Sequence, residues 1–362
     1  MLIGAGPQRP SKLDDLLDPG LAARLTRLDY RTRRIFAGKL QGERRSKRRG
    51  QSVEFDDYRD YVPGDDLRFI DWNVYARFDR LFIKLFLEEE DLSVHIAVDA
   101  SPSMHAGAPP KLLHAARIAM ALGAVGLAGN NRVGMTIFGG AAAASTAERA
   151  PAPDEPGAPD RAPGSALLRL PELRGSHHIP RLGRFLLEGL WPDAARAPAD
   201  VSRRGDPALA RAFSDALTAI ARGRTGKGVM ILLSDFLTHP EEPAADPFDQ
   251  PGYQRGLRAL AAAGGYDTIC LQILSPSEIE PERDVQQGIT GDMRLVDVET
   301  GHAAEVTVTA QLLKLYKQRL ERYCAQLHAF CIARRMTHLL VRTDEPVDQL
   351  VLHTLRRLGV VG

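Results

Sequence analysis

The sequence predicts an α/β fold: a doubly wound, mainly parallel sheet preceded by a small N-terminal helical and β module. Three observations carry that expectation. Two short apolar runs, ending at Asp99 and at Asp235, read as fully buried strands. From residue 92 onward, strand-length apolar runs alternate with longer segments of helical periodicity, the pattern of a parallel sheet covered on both faces. Ahead of residue 92, turn formers and aromatic residues replace that alternation. The expected division is therefore residues 1–91 and residues 92–362.

Residues 12 to about 40 read as helical, because Leu16, Leu17, Leu21, Leu25 and Leu28 recur at near-helical spacing. Residues 53–90 read as turns and strands, with Pro63-Gly64 a turn signal and Leu81 to Leu87 a strand of mixed faces. Trp72, Tyr75 and Phe78 are expected to be large anchors that pack this module onto the following domain. Strands follow at 93–98, 132–138, 228–234, 267–274 and 338–342, with a short edge strand from Leu167 to Leu170. Helices fall between them at 111–128, 181–190, 207–221, 253–263 and 311–335, and a last one at 346–358. Gly123 and Gly126 mark a close approach on the first of these. Residues 141–164 are rich in Ala and Pro and read as a disordered insertion. Residues 283–309 alternate around Glu299-Thr300-Gly301 and read as an inserted hairpin. In the helix at 311–335, Leu313, Tyr316, Leu320, Tyr323, Leu327 and Phe330 form one core-facing stripe.

Bulk properties narrow the function classes. The 362 residues carry 47 Lys and Arg against 46 Asp and Glu, a net charge of +1. That balance argues against a general polyanion binder. The basic run from Arg44 to Arg49 lacks interleaved aromatic residues for base stacking, so it reads as a solvated loop rather than a nucleic-acid patch. Glu88 to Asp91 could screen it. Three cysteines make no disulfide framework and fit a reducing cytoplasm. Asp14, Asp15 and Asp18 stand where a signal peptide would be apolar. The apolar run from Ile118 to Gly129 falls short of the ~20 residues of a membrane span. A soluble cytoplasmic protein without a membrane span is expected.

The run Leu92-Ser-Val-His-Ile-Ala-Val-Asp99 is followed by Ser101 and Ser103 at alternate positions. When such a loop curls, one carboxylate and two hydroxyls converge. That oxygen set suits a small hard cation, Mg²⁺ or Mn²⁺, which keeps part of its water shell. Asp and Ser after a strand also serve as turn formers and helix caps, so the five residues alone support both readings. The second run, Gly228 to Ser234, also ends on an acid, Asp235. Loops beyond the carboxyl ends of parallel strands can share one site, with Asp235 acting directly or through water.

The pattern Asp-x-Ser-x-Ser resembles the metal-ion-dependent adhesion site of von Willebrand factor type A domains. Upstream, Pro63, Gly64, Asp65, Asp66, Arg68, Ile70, Asp71 and Trp72 form a PGDD-x-R-x-I-D-W block. With the strand ending at Asp99, this block resembles a bacterial family filed as domain of unknown function fifty-eight. The resemblance implies a von Willebrand A-like sheet with an Mg²⁺ or Mn²⁺ ion at its adhesion site. It also implies a MoxR-type AAA+ ATPase as partner, with the chain as adaptor or co-chaperone toward a client protein. Type A domains usually add a threonine from a later loop. Here that loop offers Ser202 or Asp206, and Asp206 also fits as the cap of a helix starting at Pro207. Asp65, Asp66 and Asp71 lie near Arg68 and Arg77 in sequence and are expected to form an ion-pair network that fixes a loop. A metal-dependent hydrolase built on the same oxygens is the alternative, and nucleic-acid binding through the basic run a weaker one. Against hydrolysis, the sequence shows no P-loop, no Gly-x-Ser-x-Gly elbow and no evident general base near Asp99. His105, His177 and His178 are the candidate bases, the last two bordering a loop.

Overall fold

Strands form where apolar residues alternate between two buried faces, and six such strands make the central sheet. In the computed structural model the described residues are 9–30, 54–87, 92–139, 167–191, 207–223, 227–239, 251–282, 291–296 and 303–362. The expected disordered insertion, the basic and acidic runs, Ser202 and Asp206 all lie outside them. In chain order the elements are α1 (Pro19–Leu25), β1 (Glu54–Asp60), α2 (Trp72–Phe78), β2 (Phe82–Leu87), β3 (Ser93–Asp99), α3 (Lys111–Ala128), β4 (Arg132–Phe138) and β5 (Leu167–Arg174). There follow α4 (Ile179–Leu190), α5 (Pro207–Arg222), β6 (Gly228–Ser234), α6 (Tyr253–Ala262), β7 (Tyr266–Leu274) and α7 (Pro276–Ile279). The chain closes with β8 (Gly291–Val296), β9 (Ala303–Val308), α8 (Ala310–Ile332), β10 (Thr337–Arg342) and a short helical segment from Val347.

The sheet order is β10-β7-β6-β3-β4-β5. All pairings are parallel except β4 with β5, which closes one edge antiparallel. The fold is thus α/β with a mixed, mostly parallel sheet flanked by helices. Period-two alternation assigns the faces. Val94, Ile96 and Val98 of β3, with Val229, Ile231 and Leu233 of β6, join one core with α1, α3 and α4. Ala97, Met230 and Leu232 join the other with α5, α6 and α8. Of the α8 stripe, Leu320, Tyr323 and Leu327 are buried, whereas Tyr316, nearer the helix start, is exposed. The inserted hairpin is present as the antiparallel pair β8 and β9.

Helix α3 is the apolar centre of its layer. A Cβ on Gly123 would lie 2.4 Å from Leu182 Cδ2, and one on Gly126 would lie 2.6 Å from Val133 Cγ2. Hydrogen at these positions lets α4 and β4 close onto the helix. Helix α3 is long and apolar enough to cross a membrane by composition, but 83% of it is buried inside the protein, as befits a core helix.

The chain divides into two units, Met1–Arg34 with Leu92–Gly362, and Ile35–Asp91. The N-terminal helical stretch therefore belongs with the large sheet and not with the module that follows it. Leu16, Leu17, Leu25 and Leu28 enter the core of α3, and Tyr30 Oη donates to Leu122 O at 2.9 Å. Residues 29 and 362 exchange backbone hydrogen bonds, so the two ends of this unit are tied together.

In the small unit, β1 and β2 pair antiparallel, and Ile70 and Ile83 are buried. Asp71 organises it. Its carboxylate accepts from Asn73 N and Val74 N as the cap of α2, from Tyr58 Oη at 2.8 Å, and pairs with Lys84 at 3.0 Å. Asp66 pairs with Arg68 at 2.6 Å, as expected, whereas Asp65 pairs with Arg59 at 2.9 Å and Asp71 with Lys84, partners other than the expected Arg77. Within the small unit, Trp72, Tyr75 and Phe78 of α2 are not core residues: they are 61%, 39% and 67% exposed.

Within the small unit taken by itself, Trp72→Ala is accordingly expected to change stability by about 0.5 kcal/mol or less, the range of a surface substitution; a loss of ~3–5 kcal/mol would mean that the ring is buried against another part of the protein. Asp71→Ala should lower the melting temperature more than Trp72→Ala does. Denaturant melts of both variants check the order.

Candidate functional site

Strand β3 lies where chain direction across the sheet reverses: β4 follows on one side, β6 on the other. Open α/β sheets carry their ligand crevice at this switch point, beyond the carboxyl ends of the strands. Asp99 closes β3 there, and Asp235 directly follows Ser234, the last residue of β6.

Asp99 is buried, and each of its oxygens accepts one hydrogen bond. Oδ1 takes Ser101 N at 2.9 Å and Oδ2 takes Ser234 Oγ at 2.6 Å. Ser101 Oγ and Ser103 Oγ are 3.1 Å apart, half-buried at the mouth of the loop. The three residues singled out in sequence are therefore brought together. Gly139, at φ +76°, follows β4 and closes the cradle; a Cβ there would lie 2.9 Å from Asp99 Oδ1.

Asp235 is also buried, but its carboxylate faces a different partner. Oδ2 accepts from Lys111 Nζ at 2.7 Å and Oδ1 from Leu237 N at 3.0 Å. Lys111, fully buried at the start of α3, donates as well to Glu278 Oε1 at 2.5 Å. Glu278 is fixed in turn: its Oε2 accepts from Ser275 N at 2.8 Å and Ser275 Oγ at 2.9 Å, the capping box of α7. Burial opposes the charge on Lys111, but Asp235 and Glu278 outweigh it and hold the ammonium above its usual pKa.

Lys111, Ser234 and Glu278 were not singled out in the sequence. Ser275-Pro-Ser-Glu278 is a readable capping box; Lys111 looked like an ordinary first residue of a helix. The loop after β6 is strained as well. Phe236 holds φ +56° while fully buried, pinned by Phe236 N donating to Ser234 Oγ and by Tyr323 Oη donating to Phe236 O at 2.6 Å. Such backbone strain in a bulky residue persists only where the surroundings over-determine it, and it gathers at functional sites. His177 and His178 follow β5, whose end pairs with the start of β4, so they lie at the opposite, amino edge of the sheet.

No group of three His, Cys, Asp or Glu side chains among the described residues is arranged to hold an ion. The donors at Asp99 are one carboxylate and hydroxyls, all hard oxygens that could serve a small hard cation. Negative charge is in surplus there. Burial, and then the charge of Asp235, push the Asp99 pKa up from 3.8 to about 6.

The family described as "Protein of unknown function DUF58" matches residues 57–151, a span that contains Asp99, Ser101, Ser103 and Lys111. Uncharacterized proteins of Mycobacterium tuberculosis and Mycobacterium bovis are each 28% identical over 306 residues, 84% of this chain and 79% of theirs. An uncharacterized protein of Mycobacterium avium is 32% identical over 146 residues, 40% of this chain and 68% of that protein. The chain belongs to this family of uncharacterized bacterial proteins. No solved structure matches it.

Because folding raises the Asp99 pKa from 3.8 to about 6, the folded state holds that proton more tightly than the unfolded state. The ionised carboxylate therefore subtracts stability above about pH 6, and the penalty fades as pH falls through 6 toward 3.8. In chelator near neutral pH, Asp99→Asn is expected to be more stable than wild type, by a few kcal/mol at most at ~1.4 kcal/mol per pKa unit. The asparagine keeps an acceptor for Ser101 N. The difference should disappear near pH ~4. Thermal melts across pH read it; a variant equally or less stable at neutral pH contradicts the surplus charge.

Proposed function

We propose that this protein is a cation-dependent protein-binding adaptor or co-chaperone, with a sheet of von Willebrand factor type A kind. The supporting observation is the buried Asp99 carboxylate, held by Ser101 and Ser234 at the switch point of the sheet with Ser103 beside Ser101, and with more negative charge than its surroundings balance. Asp99 would supply the anionic ligand, and Ser101 and Ser103 the neutral ones. Asp235, engaged by Lys111, would act through water. The bound Mg²⁺ or Mn²⁺ would present an open coordination position to a carboxylate of the partner. Ser202 and Asp206 remain the candidates for a further oxygen. The partner class, a MoxR-type AAA+ ATPase acting on a client protein in the cytoplasm, rests on the family resemblance alone. Among the described residues, Ser101 Oγ and Ser103 Oγ bond each other and not a histidine, so a hydrolase built on the same oxygens has less support.

A cation that binds only the folded state stabilises it by about 2.7 kcal/mol at a hundredfold excess over Kd. Asp99→Ala should abolish the metal-induced thermal shift and leave a folded protein. Binding to the ATPase, read by calorimetry, should fall with chelator and with Asp99→Ala. Replacing Arg44, Arg45, Lys47, Arg48 and Arg49 by Ser is the opposing test. Loss of binding in that variant, with binding kept in Asp99→Ala, would sink the metal-bridged contact.

A further inference from the structure

We infer that Lys111 is the positioning residue that sets how tightly this site holds a cation: its buried ammonium occupies Asp235 and Glu278 and leaves Asp99 as the only carboxylate of the three free to serve an ion. The inference rests on the cation-binding reading above and adds to it the residue that limits affinity.

The geometry carries it. Lys111 Nζ lies 2.7 Å from Asp235 Oδ2 and 2.5 Å from Glu278 Oε1, and its side chain is fully buried. Asp235 has its other oxygen on Leu237 N, and Glu278 has its other oxygen on Ser275. Neither side chain is a free ligand. With all four groups ionised, three carboxylates and one ammonium sum to −2 at the carboxyl edge.

Helix packing alone does not explain a lysine here. Lys111 is the first residue of α3, the end of a helix that favours negative charge. An apolar side chain would suit that buried position, and a buried ion pair is often replaceable by apolar residues without loss of stability. A cation at this point acts instead on the carboxylates around it. It screens Asp235 from an incoming ion and keeps the total charge from rising to −3. The consequence is a site of moderate affinity whose ion keeps water positions for a partner's ligand. Freeing Asp235 would give a tighter and more self-sufficient site.

A charge-balanced pair of substitutions separates this role from simple electrostatics. Lys111→Met combined with Glu278→Gln leaves two carboxylates and the same net −2, but it frees Asp235 Oδ2. The glutamine oxygen still accepts from Ser275 N. A neighbouring opposite charge lowers a carboxylate's affinity for a proton by about 1–3 pKa units, and the same repulsion acts on a metal cation, so the double variant should bind Mg²⁺ about tenfold tighter than wild type or more. Lys111→Met alone, which strands two buried carboxylates, should melt lower in chelator and show a larger stabilisation by Mg²⁺.

Calorimetric titration with MgCl₂ and MnCl₂, beside thermal melts in chelator, reads both. A double variant that is folded and binds with the wild-type Kd overturns the role of Lys111, while the cation site itself stands. If wild type does not bind and the double variant does, Lys111 is confirmed as the occupant that blocks the site, and the native cation-dependent reading falls. Binding by neither removes both. Should Lys111→Met fail to fold without metal, the double variant still decides, because it restores the charge balance.

Discussion

A carboxylate cannot be buried without compensation, and the carboxyl edge of this sheet buries two aspartates at adjacent strands. The rest of the edge follows from that constraint. Ser234 must end β6 with its hydroxyl toward Asp99. The loop after β3 must turn at once, so that Ser101 N reaches the same carboxylate. Lys111 must start α3 at the depth of Asp235, and Glu278 must come back over it from the end of β7. Each of these residues sits at a strand end or helix start, where the backbone direction changes and side chains of different layers converge.

The two aspartates are compensated unequally. Asp235 has a full cation and a backbone amide. Asp99 has one amide and one hydroxyl, and its pKa rises where a salt-bridged carboxylate's would fall. The same sheet edge thus holds a finished ion pair beside an unfinished one. Structural ion pairs perturb pKa values too, but they lower those of their acids, as the Arg68 contact does for Asp66 in the small unit. A buried acid pushed upward with no cation of its own is the arrangement that binding sites use.

Much of the sheet was legible because its strands are buried on both faces, which leaves continuous apolar runs with sharp ends. Strands β4 and β6 and helix α3 fall on their sequence-predicted ranges for this reason. Asp99 and Asp235 were legible for the same reason, as acids that stop an apolar run. What could not be read was anything fixed by distant chain. The stretch before residue 30 looked like part of the adjoining module, since its leucines specify an apolar face and not which surface receives it; α3 and the last residues of the chain, Val360 to Gly362, supply that surface. Trp72 was read as an anchor onto the following domain, whereas within its own unit it lies at the start of the short helix α2 that Asp71 caps and is exposed. Lys111 was invisible as a site residue, because a lysine's burial depends on partners more than a hundred residues away along the chain.

The charge at this edge also bears on what can approach it. The protein as a whole is close to neutral, with a net charge of +1, so long-range attraction neither draws nor repels a partner strongly. Locally, three carboxylates against one ammonium give a surplus of two negative charges in a low-dielectric setting, where Coulomb interactions are strong. An acidic side chain arriving at the bare edge meets repulsion. Once a divalent ion offsets the two charges, the same side chain meets a neutral site with a coordination position to fill. In the proposed reading, recognition of an acidic partner and possession of the ion are therefore one condition, and the surplus at Asp99 is what makes binding conditional. A fourth carboxylate in place of Lys111 would hold the ion more firmly but satisfy it within the protein, and the partner's acid would then have less to add.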